Sequence, residues 1–244
     1  MKNKYRRYLS IFLAISLMGA FIALMNIETS IKQGVDGRCR MIKMPLYVKI
    51  MEFITRDFEY GRIAKEITVG CVNDEDKALA IFKWTRENIK RPPKGFHVFD
   101  DHILNIIIRG YGTGDQFQDV FATLCAYAEL PAFFDKIYSN DKTKSLYLSF
   151  VKINGRWRVF DVYHGKYFRT KENEIASIED ISGDHSLVSG EDIENISATT
   201  GLPYKEFYYN LGSIEKKRTF RPEQQVPLKR ILYEARRRLW PRDR

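Results

Sequence analysis

The capacity of this 244-residue chain for nucleophilic or metal chemistry rests on few residues: Cys39, Cys71, Cys125 and the histidines His97, His102, His164 and His185. The cysteines form no CxxC pair, and no histidine stands at metal-ligand spacing from them, so neither a structural zinc site nor any other cofactor is expected. Cys39 and Cys71 either bridge in an oxidising compartment or pack as free thiols. Cys125 falls on the apolar stripe of a helical segment and reads as core. His164 follows Asp161 by three residues, past the expected end of a strand, and reads as a rim histidine with no thiol or activated hydroxyl to serve.

The stretch with the most chemical character is GYGTGDQFQDVFATLCAYAELPA, Gly110 to Ala132. Three glycines in five residues make a loop that turns tightly or lets another backbone approach closely. Gln116 to Glu129 then repeats Phe117, Val120, Phe121, Leu124, Cys125 and Ala128 at helical spacing. Asp115, at the helix start, suits the helix dipole as a capping carboxylate.

Other elements must position this loop. Leu46 to Ile63 has the spacing of an amphipathic helix. In NDEDKALAIFKWTRENIKRPP, Asn73 caps a helix whose first turn is acidic and whose continuation Pro92 and Pro93 forbid. DDHILNIIIRG is a shorter helix, capped at Asp100 or Asp101 and ended by Gly110. Past Pro131 the period changes from 3.6 to 2: PAFFDKIY is strand-like, and Asn154-Gly155 joins SLYLSFVKI to RWRVFDVY as a type I′ hairpin. Helices followed by antiparallel strands make the fold class α+β. IASIEDI and ISATTGLPYKEFYYNLG are the packed pieces of the remainder.

The capped KALAIFKWTRENI helix, the glycine-rich loop opening a helix that ends in ELPA, and strands ending NGRW…D together resemble the transglutaminase-like superfamily over about residues 70–182. That resemblance implies a papain-like core: a catalytic Cys at a helix start, packed on an antiparallel sheet that carries His and Asp. A helix start stabilises a thiolate, the His accepts its proton and the Asp orients the His. Family spacing counted back from Pro131 puts the Cys position at Gly114. Counted from Trp157, the His position falls at Leu146 and the Asp position at Asp161. Only the Asp is retained.

The net charge of +9 sits at the ends: residues 2–7 carry +4, residues 214–244 carry +7 and the middle carries −2. With no RNA- or DNA-binding motif in that middle, nucleic acid is not an expected partner. Tyr8 to Met25 has no charged residue and is about 27 Å long as a helix, close to the roughly 30 Å of a bilayer's hydrocarbon layer. Cations before it predict a single-pass anchor with the N-terminus cytoplasmic and the domain outside the cytoplasm, in the cell envelope; a cleaved signal is the alternative.

The expected organisation is therefore an anchor over 1–25, a polar linker over 26–45, a transglutaminase-like domain over 46–213 and a basic tail over 214–244. The tail's amphipathic helix PLKRILYEARRRLW either docks on the domain or binds anionic lipid or an acidic partner. The functional expectation is a membrane-anchored, catalytically degenerate domain that binds or assembles a peptide, a protein or a cell-envelope glycan. Its cleft lies between the Gly112–Gln116 loop and the strand bearing Asp161, widened at Gly114, with Asp115, Gln116, Trp157, Tyr163 and His164 as lining. Two alternatives remain: a hydrolase or transferase of the same fold using non-standard residues, and a structural tether driven by the tail.

Overall fold

The structure is a computed structural model and describes residues 2–35, 38–96, 102–188 and 200–208, with positions 211, 222, 226, 229, 230 and 232; the side chains of 2, 3 and 32–40 fall outside the description. The uncharged N-terminal run lies in α1 (Lys2–Met25), of which Lys4–Met25 is long and apolar enough to cross a membrane and is not buried among the described residues. The next segment differs from the polar linker expected. Glu28–Val35 (β1) and Arg38–Pro45 (β2) pair antiparallel from Glu28↔Pro45 to Val35↔Arg38. Two segments of equal length let the facing backbone groups between the anchor and the domain pair with each other, which those of an open tether would not. At the base of this hairpin, the Leu46 N–H donates to Ile27 O at 2.9 Å, so the next helix begins beside the end of α1.

That helix, α2 (Leu46–Thr68), buries Tyr60, Ile63 and Ala64 in its second half. Cys71, in the turn that follows, is a free thiol, which removes the Cys39–Cys71 bridge. α3 (Asp74–Asn88) starts as its sequence dictates: Asn73 Oδ1 accepts from the Asp76 N–H at 2.8 Å, and Asp74, Glu75 and Asp76 fill the first turn. α4 (Ile103–Arg109) is closed by Gly110 in the left-handed region, φ 70°. Its expected caps, Asp100 and Asp101, lie outside the described residues, as does His97.

α5 (Gly114–Tyr127) is the axis of the molecule, buried from Gln116 to Ala126. It packs on α2, α3 and α4 on one side and on a sheet on the other. The sheet is an antiparallel meander of β3 (Ala132–Tyr138), β4 (Ser145–Ile153), β5 (Arg156–Asp161) and β6 (Lys166–Tyr167). Asn154 (φ 51°) and Gly155 (φ 79°) form the β4–β5 turn with the two positive φ angles expected of it.

Strand alternation gives the sheet two cores. Val151, Ile153 and Phe160 face α5, in one cluster with Phe117 and Phe121. Leu146, Leu148, Phe150 and Val159 face the other way, toward α6 (Ile178–Gly183) and α7 (Lys205–Tyr208), in a second cluster with Tyr204, Phe207 and Tyr208. The fold is thus α+β, helices packed on an antiparallel sheet, as expected.

Candidate functional site

The start of α5 is held by a network that explains its glycines. Gln116 Oε1 accepts from Arg109 Nη2 at 2.7 Å and from the Thr113 N–H at 3.2 Å, so the side chain folds back under the loop. A Cβ at Gly112 would lie 3.0 Å from that oxygen and 3.3 Å from Ile106 Cγ2, so a side chain at 112 would press on both neighbours where the loop sits on α4. The Thr113 hydroxyl donates to Asp115 Oδ1 at 2.5 Å, which occupies the carboxylate locally. Gln116, buried and committed to these bonds, belongs to the framework beneath the loop rather than to a cleft wall.

Gly114 is the first residue of α5, the place at which a thiolate would meet the unpaired N–H groups of a helix start. A Cβ there would lie 3.7 Å from Tyr163 Cγ and 4.0 Å from Tyr147 Cδ2. Two tyrosine rings thus stand at van der Waals distance from the position, which stays partly exposed between them. Tyr163 rests edge-on against Phe117, ring centres 5.2 Å apart, and the exposed Arg91 places its guanidinium 4.6 Å from the Tyr163 ring centre.

Tyr147 also corrects the register on the sheet. Leu146 is buried in the second core, on the face turned away from α5, so it does not look at Gly114. The strand's period of two makes its neighbour the residue opposite the helix start. Gln118, fully buried on α5, fixes that neighbour: its side-chain amide donates to Tyr147 O at 3.0 Å and its Oε1 accepts from the Ser149 hydroxyl at 2.6 Å.

Asp161 ends β5 with its carboxylate buried. Oδ1 accepts from the His164 N–H at 3.1 Å, Oδ2 lies 2.7 Å from His164 Nδ1, and the Tyr204 hydroxyl donates to Oδ2 at 3.0 Å. His164 is therefore not a rim residue. It is 91% buried because the chain turns sharply at Gly165 (φ 73°) and folds the imidazole back over the carboxylate. Its Nε2 is buried and makes no hydrogen bond among the described residues.

Arg86 of α3 secures this turn, donating from Nη1 to Tyr163 O at 2.8 Å and to Val162 O at 3.4 Å. Consecutive residues thus go to opposite tasks: Tyr163 stands beside the helix start, while His164 engages the Asp161 carboxylate, which Tyr204 also bonds. Burial lifts the Tyr204 hydroxyl far above the usual phenol value, with the Asp161 carboxylate adding to the effect.

The remaining expected residues lie elsewhere. Trp157 packs edge-on against Phe133, ring centres 4.9 Å apart, four residues and about 13 Å along β5 from Asp161. It belongs to the second core, not to a cleft at the helix start. Cys125 is fully buried in the first core, and burial pushes its thiol well above the ordinary value, which opposes nucleophilic use.

Tyr147, Arg86, Arg91 and Tyr204 were not singled out from sequence. Tyr147 was within reach by one step of register. Arg86 reads as an ordinary last-turn cation, and Tyr204 arrives from forty residues downstream with no local signal.

A helix start thus stands beside an antiparallel meander whose third strand ends in the acidic residue. No family model and no curated protein matches the chain. Among solved structures it is similar to "a Putative Cysteine Protease from Cytophaga hutchinsonii", with 19% identity and a TM-score of 0.39, covering 63% of this chain and 50% of that one. It is also similar to "a TGase" (13%, 0.37, covering 61% and 46%) and to "a putative protease from Parabacteroides distasonis" (13%, 0.35, covering 55% and 35%). The chain spans half or less of each of these.

Proposed function

We propose that this protein is a membrane-anchored, transglutaminase-like domain that has lost thiol chemistry and works as a binding or assembly module for a peptide or protein, with its N-terminus cytoplasmic and its domain outside the cytoplasm. One observation carries the reading: the position that would hold the nucleophile has no side chain and stands between Tyr163 and Tyr147. A nucleophile needs both the reacting atom and a base within hydrogen-bond reach, and here the side chains nearest the position are two tyrosine rings and no imidazole.

What the site does offer is a pair of partly exposed tyrosines with an exposed Arg91 stacked on one of them. Tyr and Arg are the residues that anchor protein interfaces, because each covers large area with few torsions to fix and still offers a polar end. That composition supports a peptide or protein partner over the glycan also considered from the sequence.

Panning a random peptide library against the full-length protein in nanodiscs tests this. The wild type is expected to enrich a defined motif and the Arg91→Ala/Tyr163→Ala variant to lose it. Absence of enrichment on the wild type would remove the binding reading.

A second reading rests on the Asp161–His164 pair. With Nδ1 held 2.7 Å from the Asp161 carboxylate, His164 keeps a buried Nε2 that makes no hydrogen bond among the described residues, the nitrogen a general base uses. On that reading the domain is a hydrolase or transferase with a relocated base. Measurable amide hydrolysis or transfer by the wild type, abolished by His164→Ala with unchanged thermal stability, would favour it over the binding reading.

A further inference from the structure

α2 carries two apolar faces, and only one of them belongs to the core. Its buried residues, Tyr60, Ile63 and Ala64, all lie in the second half. The first half turns Tyr47, Met51, Ile54 and Phe58 outward at spacings of four, three and four, with Met51 62% and Phe58 68% exposed. At 3.6 residues per turn this stripe lies on the side of the helix largely opposite the buried residues. Ile50, also exposed, widens it. From Tyr47 to Phe58 it runs about 16 Å.

An outward stripe of this kind calls for a cover, and the chain's connectivity says which. The Leu46 N–H bonded to Ile27 O ties the first residue of α2 to the segment that leaves α1, two residues past Met25. Lys49 Nζ donates to Ser30 O, at 3.3 Å, and holds the first turn of α2 against the hairpin. The stripe therefore begins where the candidate membrane span ends, at the depth of the headgroups. The cations of this region, Lys49 and Arg56 on the helix and Arg230, whose guanidinium lies 5.5 Å from the Phe53 ring centre, stand on the side of α2 away from the stripe, which gives the helix an apolar and a charged side.

Resting on the reading that α1 spans the membrane, we infer that the first half of α2 is an interfacial helix, lying on the outer surface of the same bilayer with Tyr47, Met51, Ile54 and Phe58 in the boundary between headgroups and acyl chains. Amphipathic helices bind this way, burying their apolar face roughly 5–10 Å into that boundary with cations at the phosphate level. The consequence is orientation. A domain held at both α1 and α2 cannot tumble freely about its anchor, and its second contact fixes which side of the domain faces away from the lipid.

Single tryptophan substitutions in the full-length protein, reconstituted in vesicles containing dibrominated phosphatidylcholine, test the inference, with wild-type fluorescence from the native tryptophans subtracted. Ile15→Trp reports on the span, Ile54→Trp on the stripe and Glu52→Trp on the side of α2 turned away from it. The added emission of Ile54→Trp is expected to be blue-shifted and mostly quenched, and that of Glu52→Trp to be unquenched. If Ile15→Trp is quenched and Ile54→Trp is not, the interfacial helix is wrong while the span stands. Quenching of Ile54→Trp without Ile15→Trp would retain the surface contact and remove the span. Equal quenching of Ile54→Trp and Glu52→Trp, or cross-linking of Met51→Cys to a second copy in place of lipid exposure, would overturn the proposal.

Discussion

At Gly112 a side chain would be crowded, because a methyl group would sit 3.0 Å from Gln116 Oε1 and 3.1 Å from Gln116 Cβ. Gly112→Ala is expected to destabilise the domain by about 1–3 kcal/mol, the usual cost of forcing atoms into a packed site. A lowered urea midpoint at unchanged m-value would register it. Gly114 has no such constraint, since a Cβ there meets only ordinary contacts.

Gly114→Cys should therefore fold, and it opens the sharpest test of whether the sheet can activate a thiol at the helix start. Gly114→Cys/Tyr147→His puts an imidazole on the residue that faces the helix start. It should alkylate faster with iodoacetamide near neutral pH than Gly114→Cys alone, with the reactive thiol's pKa depressed. Equal rates at equal thermal stability would mean that residues 114 and 147 do not cooperate. Pairing position 114 with 146 instead should show no gain, since that side chain faces the second core. The glycine-rich loop was legible from composition because backbone approach is a local demand. The partner on the sheet was not, because one residue of register decides the face and spacing alone does not fix it.

At the scale of elements, the contact between α3 and the turn after β5 organises the site. Arg86 reaches from α3 to the carbonyls of Val162 and Tyr163, and a Cβ on Gly165 would meet its guanidinium at 2.8 Å. Arg86→Ala is expected to cost about 1.5–3 kcal/mol, the range for a hydrogen bond involving a charged group. It should also loosen Tyr163 beside Gly114, seen as faster alkylation in the Gly114→Cys background. A stability loss with no change in alkylation would leave Arg86 structural only.

Truncating the α3 cap, Asn73→Ala, should cost about 1 kcal/mol and leave that alkylation rate unchanged, which makes it the control. α3, α5 and the Asn-Gly hairpin were legible because capping residues, helical periodicity and positive-φ turns are written locally. The β1–β2 hairpin was not. Its residues alternate only weakly, and its pairing gains from closing the base beside α1 and α2, which no local pattern records.

For the whole molecule, the buried tyrosines around Asp161 set a pH limit. Burial first, then the Asp161 carboxylate, raises the Tyr204 and Tyr208 hydroxyls well above their ordinary value. The folded chain keeps those protons while the unfolded chain releases them near pH 10, so their stabilisation is complete below about pH 10 and declines as pH rises above it. Thermal melts of the full-length protein should show Tm falling above that pH, with Tyr204→Phe/Tyr208→Phe flattening the fall. An unchanged slope in the variant would show that other groups govern alkaline unfolding.

The sequence by itself determined the α+β order, the apolar N-terminal helix and the presence of a glycine without a thiol at the start of α5, because each follows from local periodicity, capping or residue identity. Only the tertiary structure decided that Tyr147 and not Leu146 faces Gly114, that His164 turns onto Asp161 with Tyr204, and that the Tyr163 ring stands beside the helix start. Those outcomes depend on strand register and on chain segments brought together from α3, β4, β5 and α7, and long-range packing of that kind leaves no periodic mark on the residues that take part in it.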